Sequence, residues 1–167
     1  MAVENKYVST QLAAGKIGKA ALVSGDKVIV MVATEEIAAA DDDGSIYRFF
    51  KSVPSNLIPV EITVATDGQT GMTDCDLGLY KVSADGVTGA VVDKDVLMDG
   101  QTLASALTRA SGHQLGLANV NIADAEKTLA VLSAQTDPDP CYDIALTANT
   151  VGSGAGTVTI IAKFVQG

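Results

Sequence analysis

Three apolar runs between Gly44 and Val82 constrain the fold more than any other part of this 167-residue chain. Ile46–Val53, Leu57–Ala65 and Cys75–Val82 are parted by Pro54-Ser55-Asn56 and by a Gly/Thr/Asp-rich bend. In the second run Val60, Ile62 and Val64 point one way, and Glu61, Thr63 and Thr66 face water. That period of two marks a half-buried strand. In the third run Leu77 and Leu79 face the core, and Gly78 between them suits a close backbone approach. Strands in sequence with short polar bends predict an antiparallel meander. One dry face then needs a second layer to cover it.

The flanking segments supply the other strands. Lys27–Thr34 is apolar on both faces, which predicts a central or covered strand. Val87–Met98 follows a turn of the Asp-Gly kind at Asp85-Gly86. Tyr142–Ala148 and Thr157–Val165 read as a C-terminal hairpin, with Val151–Gly156 as its flexible loop. The Asp-aliphatic-small-aliphatic wording of Asp76–Leu79 recurs at Asp143–Leu146, two strands solving one packing problem. Helical signals are few. Gln101–Arg109 is compatible with a helix, and Glu35–Asp43 with a helical turn or an acidic loop. Asn121–Gln135 has a capping Asn121, early acids and an apolar stripe of Ile122, Ala125, Leu129 and Leu132, so it predicts one helix, stopped before Pro138.

The expected fold is therefore mainly β: an antiparallel β-sandwich, jelly-roll-like, with one or two short helices and an extended N-terminal arm. The arm covers 1–24 and the sandwich domain 25–167. Gly15 and Gly18 weaken any helix in the arm, and its apolar residues keep no sustained period. Ser24-Gly25-Asp26 is a turn signal separating arm from body.

Charge and composition narrow the function classes. The net charge of −9 argues against nucleic-acid binding, where phosphate contacts dominate affinity. Residues 1–30 carry +2 and the remainder −11, so the basic arm suits an acidic surface, its own or a neighbour's. No stretch reaches the roughly 20 apolar residues that span a bilayer. No signal peptide is read at the N-terminus, and host cytoplasm is the expected place of synthesis. Seven aromatics and no Trp count against a carbohydrate-binding or hydrolytic sandwich, since sugar recognition leans on aromatic faces.

No constellation of residues predicts chemistry. His113 has no nucleophile elbow to serve. Asp41-Asp42-Asp43 lacks the spacing of a calcium loop. The glycines of 152–156 lack the lysine and helix of a phosphate cradle, and so read as a hairpin tip. Asp74/Asp76 and Asp93/Asp95 stand two apart without converging partners. Cys75 and Cys141 have no metal-type spacing and read as buried small hydrophobes. The expectation is a non-enzyme with no catalytic, cofactor-binding or metal residues.

Three phrases, DGSIYRFFKSVPSNLIPVEITVATDGQTGMTDCDLGLYK, GAVVDKDVLMDGQTLASA and YDIALTANTVGSGAGTVTIIAKFVQG, together resemble a known family. It is that of the head decoration, or cement, proteins of tailed bacteriophages, small structural proteins encoded beside the major capsid protein. The resemblance runs from about Asp43 to Gly167. It implies a β-sandwich bound to the outside of an icosahedral shell, with the major capsid protein and further copies of itself as partners. Trimers are favoured over dimers, the virion surface is the implied location, and the implied role is to stabilise the shell by bridging capsomers. A tail, neck or fibre-associated β-domain is the alternative within the virion.

Overall fold

A computed structural model describes residues 28–84 and 88–167. The arm at 1–24, the Ser24-Gly25-Asp26 turn and the Asp85-Gly86 turn lie outside those residues. The described residues form seven strands: β1 (Ile29–Ile37), β2 (Ser45–Pro54), β3 (Leu57–Thr66), β4 (Thr73–Lys81), β5 (Val91–Gln101), β6 (Cys141–Thr150) and β7 (Gly156–Gln166). They make two antiparallel sheets packed as a sandwich, one ordered β1-β7-β3 and the other β2-β6-β4-β5.

Alternation explains which side chains fill the space between the sheets. Ile62 and Val64 of β3, with Val158, Ile160, Ala162 and Phe164 of β7, meet Leu77 and Leu79 of β4 and Ile144 and Leu146 of β6. All ten are buried. Burying aliphatic side chains of this kind stabilises by roughly 1.5–3 kcal/mol each before conformational entropy is charged.

The strands are where the pattern puts them, but their pairing corrects the expected meander. β2 and β4 belong to one sheet and β3 to the other, so each short bend carries the chain across the sandwich. The C-terminal pair is likewise no hairpin: β6 lies between β2 and β4, and β7 between β1 and β3. A jelly roll has eight strands in two sheets. The observed order is that of a jelly roll lacking its sixth strand, which would flank β3. The irregular chain at Leu107–Gln114 occupies that place. Thr66 and Leu107 exchange both backbone hydrogen bonds, and Val64 N–H donates to the Gly112 carbonyl at 3.0 Å. The Gln114 amide accepts from Ile62 N–H and donates to the Val60 carbonyl.

That pairing overrides the helical reading of Gln101–Arg109. Leu103 is buried and exchanges hydrogen bonds with the Gln69–Met72 bend, so this segment's backbone groups serve neighbouring strands. Asn121–Gln135 is also not one helix. Asn121 does cap, accepting from Ala123 N–H at 2.9 Å, but what it caps is a 3-10 turn, Ile122–Asp124. Thr128 then caps a separate single turn, α1 (Leu129–Leu132), whose first residue is buried. Ala130 N–H donates to Ser55 instead of continuing a helical ladder. A further 3-10 turn spans Leu115–Leu117.

Two local departures have physical causes. A bulge between Pro59 and Glu61 turns Val60 outward, 40% exposed; Thr66 is buried because alternation puts it on the face of Ile62 and Val64, and Thr63 is buried on the opposite face. An extra residue in one strand exchanges the faces on either side of it. Glu35–Asp43 forms no helical turn, because β1 runs on to Ile37 and a loop follows.

Candidate functional site

The residues that sequence singles out for chemistry are dispersed or already engaged. His113 is exposed and stands 3.7 Å from Glu61, whose carboxylate also holds Lys163 at 2.7 Å. The Lys163 hydrogen bond keeps the Glu61 carboxyl below its usual range. Asp74 is exposed at φ 55°, whereas Asp76 on the same strand is buried. Burial pushes the Asp76 carboxyl up, but bonds from Gly100 N–H, the Asn149 amide and Lys94 outweigh it and hold it low. Asp93 moves the other way, raised by burial and by a hydrogen bond with the Asp95 carboxyl. Asp41 accepts from Ala38 N–H in its own loop and from Tyr47 O–H of β2, and Asp43 accepts from Val151 N–H just beyond β6. Among the described residues no group of three or more His, Cys, Asp or Glu could hold a metal ion.

The glycine-rich loop is an inter-sheet connection packed on the Gly68–Met72 bend. Ser153 and Gly154 N–H both donate to the Thr70 carbonyl, and Gln69 Nε2 donates to Gly156. Gly152, at φ 82°, sits where a Cβ would meet the Thr70 carbonyl at 2.4 Å. Those amides hold two loops together and do not converge on an anion.

Cys75 and Cys141 are free thiols; Cys75 is fully buried, and Cys141 is half-buried rather than buried. Burial, with the Asp76 charge adding to it, pushes the Cys75 thiol up to about 12 from 9.0. Burial and the Asp41 hydrogen bond push Tyr47 up to about 12 from 10.0. Both groups stay protonated in the fold at a pH where the unfolded chain has released them. Their contribution to stability is thus complete below about pH 9 and is lost as pH rises toward about 12. A series of thermal melts across that window should show the decline, and Cys75→Ala should flatten it. An unchanged slope in that variant would remove Cys75 as a cause.

A second layer of polar residues sits on the outer face of the four-stranded sheet. Arg48 Nη1 meets Asp143 Oδ2 at 2.9 Å with both side chains almost wholly buried. Arg48 Nη2 donates to the Gly89 carbonyl, and its guanidinium lies 5.1 Å from the Tyr80 ring centre. Tyr80 O–H bonds Thr147 Oγ1. Asp143 Oδ1 accepts from Ser52 N–H, at a residue held at φ 54°. Every member is satisfied by protein, so the layer works as a structural polar seam under β5 and its preceding loop.

The surface that remains without a partner among the described residues is β1. Composition predicts a central or covered strand, and among the described residues β1 is an edge. Met31 and Ala33 pack inward, and Ile37 is buried. Val28, Val30 and Val32 point out, at 55, 56 and 62% exposed. The other edges are handled: β3 by Leu107–Gln114, β5 by Asn119, which bonds the Leu97 and Asp95 carbonyls, and β2 by two register breaks. β1 pairs β7 without a break from Ile29–Phe164 to Ile37–Gly156. Proteins commonly blunt such long regular edges, because the unpaired backbone is a template for another strand.

No family model and no curated protein matches the chain. A solved chain described as "Cyanophage Pam1 capsid asymmetric unit" is similar over 100% of this chain and 93% of its own, at 11% identity and a TM-score of 0.39. A likeness that loose carries no argument. No helix among the described residues is long and apolar enough to cross a membrane.

Proposed function

We propose that this chain is a structural virion protein of the head decoration type, a non-enzyme that binds the outside of a phage shell as an oligomer. The observation that carries the reading is the unblunted β1 edge with its outward valine row. An exposed apolar row beside an open strand edge marks a contact surface. The sequence resemblance agrees with it, because its span from Asp43 to Gly167 holds β2 to β7, the scaffold that presents β1. The partners are the major capsid protein and further copies of the chain, with a trimer favoured.

The test is occupancy on purified heads. Co-sedimentation should recover the parent chain with heads in hundreds of copies, whereas a handful of copies would favour the neck or fibre reading. Val30→Glu with Val32→Glu changes two exposed side chains. Such surface changes alter stability by about 0.5 kcal/mol or less each. The double variant should keep its melting behaviour and lose head occupancy, and deletion of residues 2–20 should also weaken attachment. Full occupancy by the folded double variant would sink the assignment of β1 as the contact surface.

A further inference from the structure

We propose that the shell contact extends from the first half of β1 round one end of the sandwich, and that the opposite, acidic end points away from the shell. Resting on the decoration reading above, this placement fixes how the chain stands on its partner. The register sets every strand between the same two ends. The bend end holds the start of β1, the β2–β3 bend and Gly167, whose N–H donates to the Asn56 carbonyl. The loop end holds the β1–β2, β3–β4 and β6–β7 connections.

Exposed apolar side chains gather at the bend end. Of the ten large ones among the described residues, eight lie there. Val28, Ile29 and Val30 lead into β1, and Val60 is turned out of β3 by its bulge. Val82 follows β4, and Val91 opens β5. Ile122, 92% exposed, stands beside Pro59 and Val60, and Val131 follows Ala130, whose N–H reaches Ser55. Of the other two, Val32 sits at mid-length of β1 and only Ile46 at the loop end. Two hollows open among these side chains, one between Pro59 and Leu117, the other among Ser52, Lys81 and Pro140. Charges of both signs border them, with Lys81 paired to Asp139 at 3.4 Å and Lys127 to Asp124 at 2.7 Å. Apolar area inside a rim of mixed, paired charge is the anatomy of a protein contact.

The loop end is the inverse. Glu35 and Glu36 come at the close of β1, with Asp42 and Asp43 in the loop after it. Asp67, Asp74 and Asp99 stand at the same end of β3, β4 and β5. All seven are exposed, and none forms an ion pair with a described residue. Arg109, two residues past the Leu107 that pairs Thr66, adds one cation to that end. Carboxylates without partners are costly to bury against protein, so water is their favoured neighbour. Along β1 the same division falls within one strand: valines fill its first half, and Glu35 and Glu36 mark where the contact stops. The apolar end therefore continues the β1 surface already assigned to the shell, and the acidic end lies outside it.

Maleimide labelling of the full-length chain, free and bound to purified heads, tests the orientation. A Cys141→Ser background leaves the buried Cys75 as the one native thiol. Single cysteines are then placed at the bend end, by Ile122→Cys or Val82→Cys, and at the loop end, by Asp42→Cys or Ser153→Cys. All four positions are exposed, so each should label readily in the free protein. On heads the thiols at 122 and 82 should be protected, and those at 42 and 153 should react at the free rate. Protection of the loop-end thiols, or unchanged reactivity at 122 and 82, would overturn the proposal. Protection at 122 and 82 already present in the free protein would also overturn it, because the chain itself or a second copy would then cover that end. Ile122→Glu should weaken head binding about tenfold or more, as loss of a buried anchor does. Glu36→Gln with Asp42→Asn should leave binding unchanged, and the reverse order of effects would count against the placement. A parent chain that never sediments with heads overturns the decoration reading and this placement together. A parent chain that binds while its bend-end thiols stay reactive overturns the placement alone.

Discussion

Asp143→Ala should destabilise the fold by about 3–5 kcal/mol, the range for breaking a buried ion pair from one side. The cost has two sources. Arg48 keeps its other contacts, the Gly89 carbonyl and the Tyr80 face among them, but its buried charge loses the Asp143 carboxylate 2.9 Å away. Ser52 N–H loses its acceptor at a backbone position already held in the left-handed region. Asp143→Asn keeps an oxygen for Ser52 and removes the charge, so it should fall between parent and alanine variant. Replacing both partners, Arg48→Met with Asp143→Leu, removes the charges together. That double variant should be more stable than Asp143→Ala, because the buried positive charge is removed along with the negative one beside it. Urea unfolding of the four proteins checks the order. A loss under about 1 kcal/mol for Asp143→Ala would place this pair with surface ion pairs.

The seam to which this pair belongs was only half legible. The Asp-aliphatic-small-aliphatic echo is its trace. β4 and β6 are antiparallel neighbours, with Leu77 opposite Leu146, Gly78 opposite Ala145 and Leu79 opposite Ile144. In both strands the aspartate points away from the core and is nevertheless buried. Nothing local names their partners. Arg48 is 95 residues from Asp143 and Lys94 is 18 from Asp76, so only the folded topology brings them together.

Strand positions were readable because alternation is a property of a strand's own faces. Which sheet a strand joins was not, since a bend of a few residues serves a hairpin and a crossing equally well. What distinguishes β4 is burial on both faces, visible in its run of small and apolar residues only once β5 is known to cover it. β1 failed in the opposite sense. Apolar residues on both faces of Lys27–Thr34 predict cover on both, and the described residues cover only one. The candidate contact surface is therefore the place where composition and observed burial disagree. The broken helix at 121–135 has a local cause that sequence does contain. Asn121 and Thr128 are two capping residues within eight positions, and each starts its own turn.

Gly78→Ala should cost about 3 kcal/mol or more, at the upper end of what overpacking a core position does. A Cβ at residue 78 would lie 2.1 Å from the Asp93 carbonyl oxygen and 2.3 Å from the Lys94 carbonyl carbon. Both are backbone atoms, so no side-chain rotation relieves the clash. β5 must move instead. The pairing shows why it lies so close: Leu77 opposes Met98 and Leu79 opposes Asp93, so the intervening β5 residues arch over one glycine. Lys94 hangs from that arch and reaches Asp76 at 2.9 Å and Asn149 at 3.0 Å. Displacing it leaves the buried Asp76 carboxylate with the Gly100 and Asn149 donors alone. Lys94→Ala separates the two contributions, since it removes the ammonium and leaves the backbone contact intact. If close approach is the dominant effect, Gly78→Ala should lower the urea midpoint further than Lys94→Ala. In the Gly78→Ala protein Asp76 should also titrate at higher pH, visible by carboxyl NMR. A Gly78→Ala chain as stable as its parent would mean that β5 rides over this strand without touching it, and the seam would then owe its burial to the loop before β5.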